Sequence, residues 1–217
     1  MVSIIITAFN YERYIERAIR SCLDQSISAA EYEVIVVNDC STDSTPKILE
    51  NYKDQVRLFH LEKNCGLAAA RNFGIKKALG QYVVFLDADD YIQRDLLLIQ
   101  RTFLAENNSL DAVSTDYFLV DERGNHLEHV NAEQRSIACG IMFRKDLLFD
   151  IGLYDETFKA REEEDLRIRF LKKHAIYNII LPLYRYRMHD ANLTKNTEEM
   201  DKFKGKLLDK HKKTDPS

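Results

Sequence analysis

Eight consecutive residues, Val83-Val84-Phe85-Leu86-Asp87-Ala88-Asp89-Asp90, constrain this 217-residue chain more than any other stretch. The apolar half does not alternate, so it reads as a strand buried on both faces. Three acids then fall within four residues. An unpaired charge is costly to bury, so the strand has to end at Asp87 and deliver the acids to the rim of a sheet. In open α/β sheets, ligands settle outside the carboxyl ends of the strands. Clustered hard oxygen ligands at such a rim suit Mg²⁺ or Mn²⁺, shared with a substrate phosphate. The competing reading is an acidic loop that caps the following helix.

The preceding residues supply the sheet. Residues 2–7 are a β-branched run and predict a first strand. Tyr11, Tyr14, Ile15, Ala18, Ile19, Cys22 and Leu23 recur at three- and four-residue steps, an amphipathic helix that Asn10 can cap. Residues 33–37 are a second buried strand, ending in a polar turn where Thr45 and Pro46 start a helix. Residues 56–61 predict a third strand, and 67–79 an alanine-rich helix closed by Gly80. Strands alternating with helices predict an α/β fold: a Rossmann-like, mostly parallel sheet with helices on both faces. Neither a Gly-x-Gly-x-x-Gly nor a Walker lysine motif is present. Phosphates bound at this sheet therefore need another source of positive charge, and a metal on the acids supplies one.

The second half changes character. Residues 96–104 read as a helix, 111–120 as a strand, 121–125 as a hairpin-type turn. Residues 126–138 are polar and poorly patterned, a loop, before a short apolar strand over 138–143. Arg161-Glu162-Glu163-Glu164-Asp165-Leu166 opens a helix, whose first turn favours acids. Two strands follow, broken at Pro182. The expected organisation is one domain over 1–196, with a nucleotide-binding half to about 105 and a second half to 196; the family resemblance described below implies that this domain is catalytic, its first half donor-binding and its second acceptor-side. Residues 197–217 form a polar tail crowded with Lys202, Lys204, Lys206, Lys210, Lys212 and Lys213.

Composition narrows the partners. A net charge of −4 gives no support for nucleic acid as a partner. No apolar stretch approaches the roughly 20 residues of a membrane span, and no signal peptide is apparent. Four widely spaced cysteines lack paired metal-type spacing, so the expectation is reduced thiols in the cytoplasm. The lysine tail reads as a solvated helix; the alternative is peripheral contact with an anionic membrane face.

Five segments, in order, resemble the family two glycosyltransferases with the GT-A fold, over about residues 2–195. They are Thr7-Ala8-Phe9-Asn10; Val36-Val37-Asn38-Asp39-Cys40-Ser41-Thr42-Asp43; Asn64-Cys65-Gly66-Leu67-Ala68-Ala69-Ala70-Arg71-Asn72; Asp87-Ala88-Asp89; and Gly152-Leu153-Tyr154-Asp155-Glu156 with Glu164-Asp165. The resemblance implies a nucleotide-sugar site made by Thr7, Ala8, Phe9, Asn10, Asp39, Gly66, Arg71, Asp87 and Arg187. Phe9 would stack on the base and Asp39 would accept the uracil ring N–H. Cys40 stands where the family often has a second aspartate. Arg71 would reach the donor diphosphate or brace Asp87, and Asp87 would meet the ribose. Asp89, with His189, would hold Mn²⁺ or Mg²⁺, while Asp90 would cap the next helix. Among four consecutive acids, Asp165 matches the family's catalytic base, with Glu164 orienting the acceptor and Glu162 and Glu163 capping the helix. The implied reaction is inverting transfer from a nucleoside-diphosphate sugar, UDP above others, to a hydroxyl of a glycan or lipid-linked acceptor. The rival readings are a sugar-phosphate nucleotidyltransferase and a non-catalytic sugar-nucleotide-binding module.

Overall fold

The first strand, β1 (Val2–Ala8), is buried at every position. A strand covered on both faces must lie inside a sheet, and β1 pairs in parallel with β2 (Tyr32–Asn38) and β4 (Tyr82–Asp87). β3 (Arg57–His60) extends the parallel array beyond β2. Ile4, Ile5 and Ile6 are at most 1% exposed, and burying each contributes about 2 kcal/mol. The computed structural model describes residues 1–190 and 197–212.

Helix α1 (Ile15–Leu23) joins β1 to β2, α2 (Thr45–Glu50) joins β2 to β3, and α3 (Leu67–Lys77) returns from β3 to β4. Right-handed crossovers running in opposite directions place their helices on opposite faces of a sheet. Accordingly α1 touches α2, whereas α3 lies against Ile5. Gly74 permits that approach: a Cβ there would stand 2.5 Å from Ile5 Cγ2. The order β3-β2-β1-β4 reverses direction at β1, and such a switch point is where open sheets bind ligands. In the register, Thr7 faces Asp87 and Ala8 faces Asn38. The strand ends singled out in the sequence therefore meet at one rim.

The second half continues the sheet through β5 (Tyr91–Ile92), β6 (Ala112–Val120), β7 (His126–Val130), β8 (Met142–Arg144) and β9 (Ile176–Arg187). β8 lies antiparallel between β4 and β6 and joins the halves, while β9 runs parallel to β6. Helices α4 (Leu96–Glu106), α5 (Lys145–Asp150), α6 (Glu162–Leu171) and α7 (Thr197–Lys212) complete the element order. The α/β sheet expected from the alternation is the one that forms, parallel through its first four strands and mixed beyond them.

Several local expectations are corrected. Residues 126–138 are not all loop. The Asp121 carboxylate accepts from the Asn125 backbone N–H and side-chain amide, both at 2.8 Å, and the hairpin it closes continues into β7. β7 is exposed except at Val130, so it carries no apolar alternation. β9 runs through Pro182 as one strand, because its register with β6 slips on either side of Asp116 and absorbs the proline. Gly80 does not cap α3, which ends at Lys77; its role is close approach, since a Cβ would meet Met1 O and Ser3 N at 2.8 Å. Tyr14, not Asn10, precedes α1. The lysine tail is not simply solvated. Phe203 and Leu207 of α7 bury against Phe158 in a second small core. The expected boundary at 196 and Lys213 lie outside the described residues. No helix among the described residues is long and apolar enough to cross a membrane.

Candidate active site

The rim acids occupy three different environments. Asp87, 30% exposed at its side chain, receives Arg71 Nη2 at 2.8 Å. Asp89 is buried, and its Oδ2 lies 2.8 Å from His189 Nε2. The His189 ring stacks on Tyr14 with centroids 4.7 Å apart. Asp90 is 1% exposed; it accepts from the Tyr184 hydroxyl at 2.6 Å and the Arg187 N–H at 2.7 Å. It thus ties the rim to β9 and does not cap a helix, since α4 begins after Asp95. Burial, then Asp87, raises the Asp89 pKa, with His189 pulling it back. Burial and both neighbouring acids push Asp90 well above the carboxylate range. The Tyr11 hydroxyl, raised by burial and then by Asp89 and Asp87, lines the same negative cluster.

This negative field suits a cation. One carboxylate and one imidazole, Asp89 and His189, with Asp87 beside them, match the donors that Mn²⁺ accepts. Among the described residues no group of three or more His, Cys, Asp or Glu side chains is gathered as a complete metal cage. A Mg²⁺ or Mn²⁺ site of the shared kind, completed by phosphate oxygens and water, fits that incomplete donor set. Asp89 and His189, the two residues expected as metal ligands, lie within hydrogen-bonding distance of each other.

Arg71 links the rim to α6. It is 2% exposed, and its two terminal nitrogens bond Asp87 Oδ1 at 2.8 Å and Glu162 Oε1 at 3.0 Å. The rigid fork of a guanidinium matches two carboxylates in this way. The small residues Ala68 and Ala70 let α3 bring it into the core. Of the two roles expected for Arg71, bracing Asp87 is the one its hydrogen bonds serve. Asn72 holds the adjoining segment, exchanging hydrogen bonds with the Tyr154 N–H and carbonyl at 2.9 Å each.

The four acids of α6 separate by environment. Glu162 is buried against Arg71, so it is more than a helix cap. Glu164 pairs with Arg161 three residues back, and its side chain is 40% exposed. Asp165 is 0% exposed. Its Oδ2 receives Arg169 Nε at 2.9 Å and Nη2 at 2.8 Å, and its Oδ1 receives Lys210 Nζ at 2.6 Å and His211 Nε2 at 2.9 Å. Burial would raise its pKa, but the Lys210 and Arg169 hydrogen bonds outweigh burial and hold it below the ordinary value. A carboxylate enclosed and saturated in this manner already has its charge neutralised by its neighbours. Glu163 is the opposite case. Burial, then Glu162, pushes its pKa up to about 7, with Arg71 opposing, and no ion pair engages it among the described residues.

At the other end of the crevice, Asp39 accepts the Cys65 N–H at 2.7 Å and the Gly66 N–H at 2.8 Å. It thereby fixes the turn into α3, where Gly66 has φ +89°, a conformation glycine adopts without strain. Thr7 and Ala8 are buried beside it, while Phe9 is 42% exposed at the rim. The Asn10 side-chain oxygen accepts the Thr42 N–H at 2.8 Å, and its own N–H donates to Ser41 Oγ at 2.9 Å, binding the first two loops together. Arg187 is 2% exposed and donates to the carbonyls of Asp89 and Glu122, each at 2.7 Å. Sequence reasoning gave Tyr11 only a helix-face position, placed Asn72 in the glycine-to-arginine segment without a role, and gave Glu162 and Glu163 a capping role. An arginine among alanines and glycine was the available signal, because a buried fork calls for two acids.

Comparison with known proteins gives this geometry its family. A Rickettsia typhi protein described as an uncharacterized glycosyltransferase is 32% identical over 212 residues, covering 89% of this chain and 66% of its own length. Staphylococcus aureus TarS, a poly(ribitol-phosphate) beta-N-acetylglucosaminyltransferase, is 39% identical over 110 residues, 49% of this chain and 19% of TarS. The chain thus spans under two thirds of the length of these relatives. A TarS structure in complex with UDP-GlcNAc superimposes with a TM-score of 0.77 and 26% identity, over 95% of this chain and 66% of that one. The Pyrobaculum calidifontis mannosyltransferase PcManGT, in complex with GDP-Man and Mn²⁺, shares the fold at a TM-score of 0.76 with 18% identity, over 100% of this chain and 65% of that one. Residues 3–156 match the family model for glycosyl transferase family 2, and the chain belongs to that family.

Proposed function

We propose that the protein transfers a sugar from a UDP-sugar to an acceptor hydroxyl with inversion, and that Glu163 takes the acceptor proton. The observation that carries this reading is the Arg71 bridge. One buried guanidinium ties the acid rim of β4 to the acidic turn of α6, bonding Asp87 at 2.8 Å and Glu162 at 3.0 Å. Donor-side and acceptor-side carboxylates are thereby held in one rigid frame. The donor class is supported by TarS, whose structure in complex with UDP-GlcNAc shares this fold.

A sugar hydroxyl attacks poorly until its proton has a destination. A base titrating near 7 is matched to neutral pH, where about half of it is ionised and that form is basic enough to draw the proton. The hydroxyl oxygen forms its bond to the anomeric carbon from the face opposite the diphosphate. The carbon–oxygen bond to UDP breaks, UDP leaves with the electron pair, and the proton rests on Glu163. A single displacement of this kind inverts the anomeric centre. A divalent cation held by Asp89 and His189 would supply positive charge to the leaving diphosphate.

The chain's own residues do the positioning. Phe9, exposed at the rim, stacks on uracil, and Thr7, Ala8 and Asn10 form the floor and wall of the base site. Asp39 keeps the Gly66 turn in place and retains lone pairs for the uracil N–H. Asp87, braced by Arg71, meets the ribose. Arg187 fixes the backbone of Asp89, and Glu164 stands at the acceptor side. The acceptor is a glycan or lipid-linked hydroxyl, reached from the cytoplasm, and the exposed lysines of α7 are available to an anionic membrane face.

A donor panel tests this reading. With Mn²⁺ present, UDP release is expected from at least one UDP-sugar and not from GDP- or CDP-sugars. UDP binding without turnover from any donor or acceptor would instead make the protein a non-catalytic binding module.

A further inference from the structure

We propose that α7 is a clamp on the catalytic turn, in which Lys210 and His211 act as positioning residues for Glu163 through Asp165 and Asp155. The proposal rests on the assignment of Glu163 as the base.

Lys210 Nζ stands between two carboxylates, Asp155 Oδ2 at 2.8 Å and Asp165 Oδ1 at 2.6 Å. These acids bracket the segment that leads into α6. One turn earlier along α7, Lys206 Nζ donates to the Thr157 carbonyl at 2.6 Å and to its hydroxyl at 2.7 Å. It also lies 4.4 Å from the Phe158 ring centroid. His211 Nε2 adds a contact of 2.9 Å to the same oxygen of Asp165. The lysines at 206 and 210 fall four apart, and both face the segment. Phe203 and Leu207 press the intervening surface of the helix onto Phe158. Helix α7 therefore holds this segment at its start, its middle and its far side.

The segment needs holding. It ends at Arg161, a non-glycine residue at φ +61°, and α6 starts at the next residue. A side chain in that conformation is strained and persists only where its surroundings impose it. Glu163, half-buried, lies two residues beyond, in the first turn of the helix that starts there. Among the described residues, the contacts of Asp39, Asp87 and Asp89 are made by the first 90 residues, by α6 through Arg71 and by His189. Helix α7 also lies beyond the 3–156 span of the family match. The clamp should thus govern the base and leave the nucleotide untouched.

The test needs no identified acceptor. The full chain is labelled with ¹³C at glutamate carboxyls and titrated by NMR, with the Glu163 signal assigned by its loss in Glu163→Gln. Wild type is expected to titrate near 7, and Lys210→Met to titrate at least one unit lower as Glu163 gains solvent. Simple removal of a nearby cation moves the midpoint the other way, so the sign separates release from direct electrostatics. Lys210→Arg should restore the wild-type midpoint, and calorimetric UDP affinity should stay within twofold in every variant. In parallel, amide exchange over 162–166 should quicken at least tenfold in Lys210→Met while β1 and β4 amides keep their protection. An unchanged or raised midpoint with unchanged exchange overturns the clamp, as does loosening of β1 and β4 to the same degree. The clamp and the base assignment fail separately: full turnover in Glu163→Gln removes the base, whereas the exchange data judge the clamp alone.

Discussion

Asp89 shows how a single carboxylate can be poised by its neighbours. It is buried, raised by Asp87, and held by His189 at 2.8 Å. If a divalent cation completes this site, UDP affinity measured by calorimetry should fall at least tenfold with chelator. Asp89→Ala should bind as weakly with Mn²⁺ as without it; equal wild-type affinity in both conditions would remove the cation from the account. Asp165 makes the contrasting case. Its substitution by Asn should act on folding, because Arg169 and Lys210 would lose a fully buried counter-charge. Breaking one partner of a buried pair costs on the order of 3 kcal/mol, so denaturant unfolding should show a loss of that size. Unaltered stability with abolished turnover would return the base to Asp165. The choice among four consecutive acids was not legible in the sequence. Helical spacing identifies which acids share a face, but only the positions of Arg71 and Lys210 decide which carboxylates are already neutralised.

Helix α7 carries the least expected behaviour of any element. Its lysines read as a solvated face, yet Lys206 and Lys210 reach back to the 155–165 segment. Their targets are a carbonyl and two carboxylates separated from them by some 50 residues, a relation that no local pattern encodes. A pH dependence follows. Asp155 and Asp165 are both held below the ordinary carboxylate value. A depressed folded pKa contributes stability that is present above the unfolded value, 3.8 for aspartate, and is lost as pH falls through the folded value. The thermal midpoint should therefore decline steeply on acidification below about 3.8. The decline should be shallower in Lys210→Met, where part of the linkage is already absent; parallel curves for the two proteins would contradict it. Glu163 works in the opposite sense. Its folded pKa is raised, so it favours the fold at pH below 4.5 and loses that contribution as pH climbs through about 7.

At the scale of the whole molecule, the donor half was the more legible. Its strands are buried on both faces and announce themselves as unbroken apolar runs, and the register brings Thr7, Asn38 and Asp87 to one rim without further information. The acceptor-side half was less so, because β7 is exposed, β8 is three residues long, and β9 passes through a proline by slipping register. Arg71 ties the acid rim of β4 to α6, the helix that carries the proposed base Glu163. The most direct measurement is therefore the rate of UDP release by Glu163→Gln beside wild type, with an active donor and acceptor and UDP affinity determined for both. The expected result is a loss on the order of a hundredfold to ten-thousandfold with UDP affinity unchanged and the acid limb near pH 7 abolished. Near-wild-type turnover with that acid limb intact would contradict the assignment of the base and the mechanism built on it.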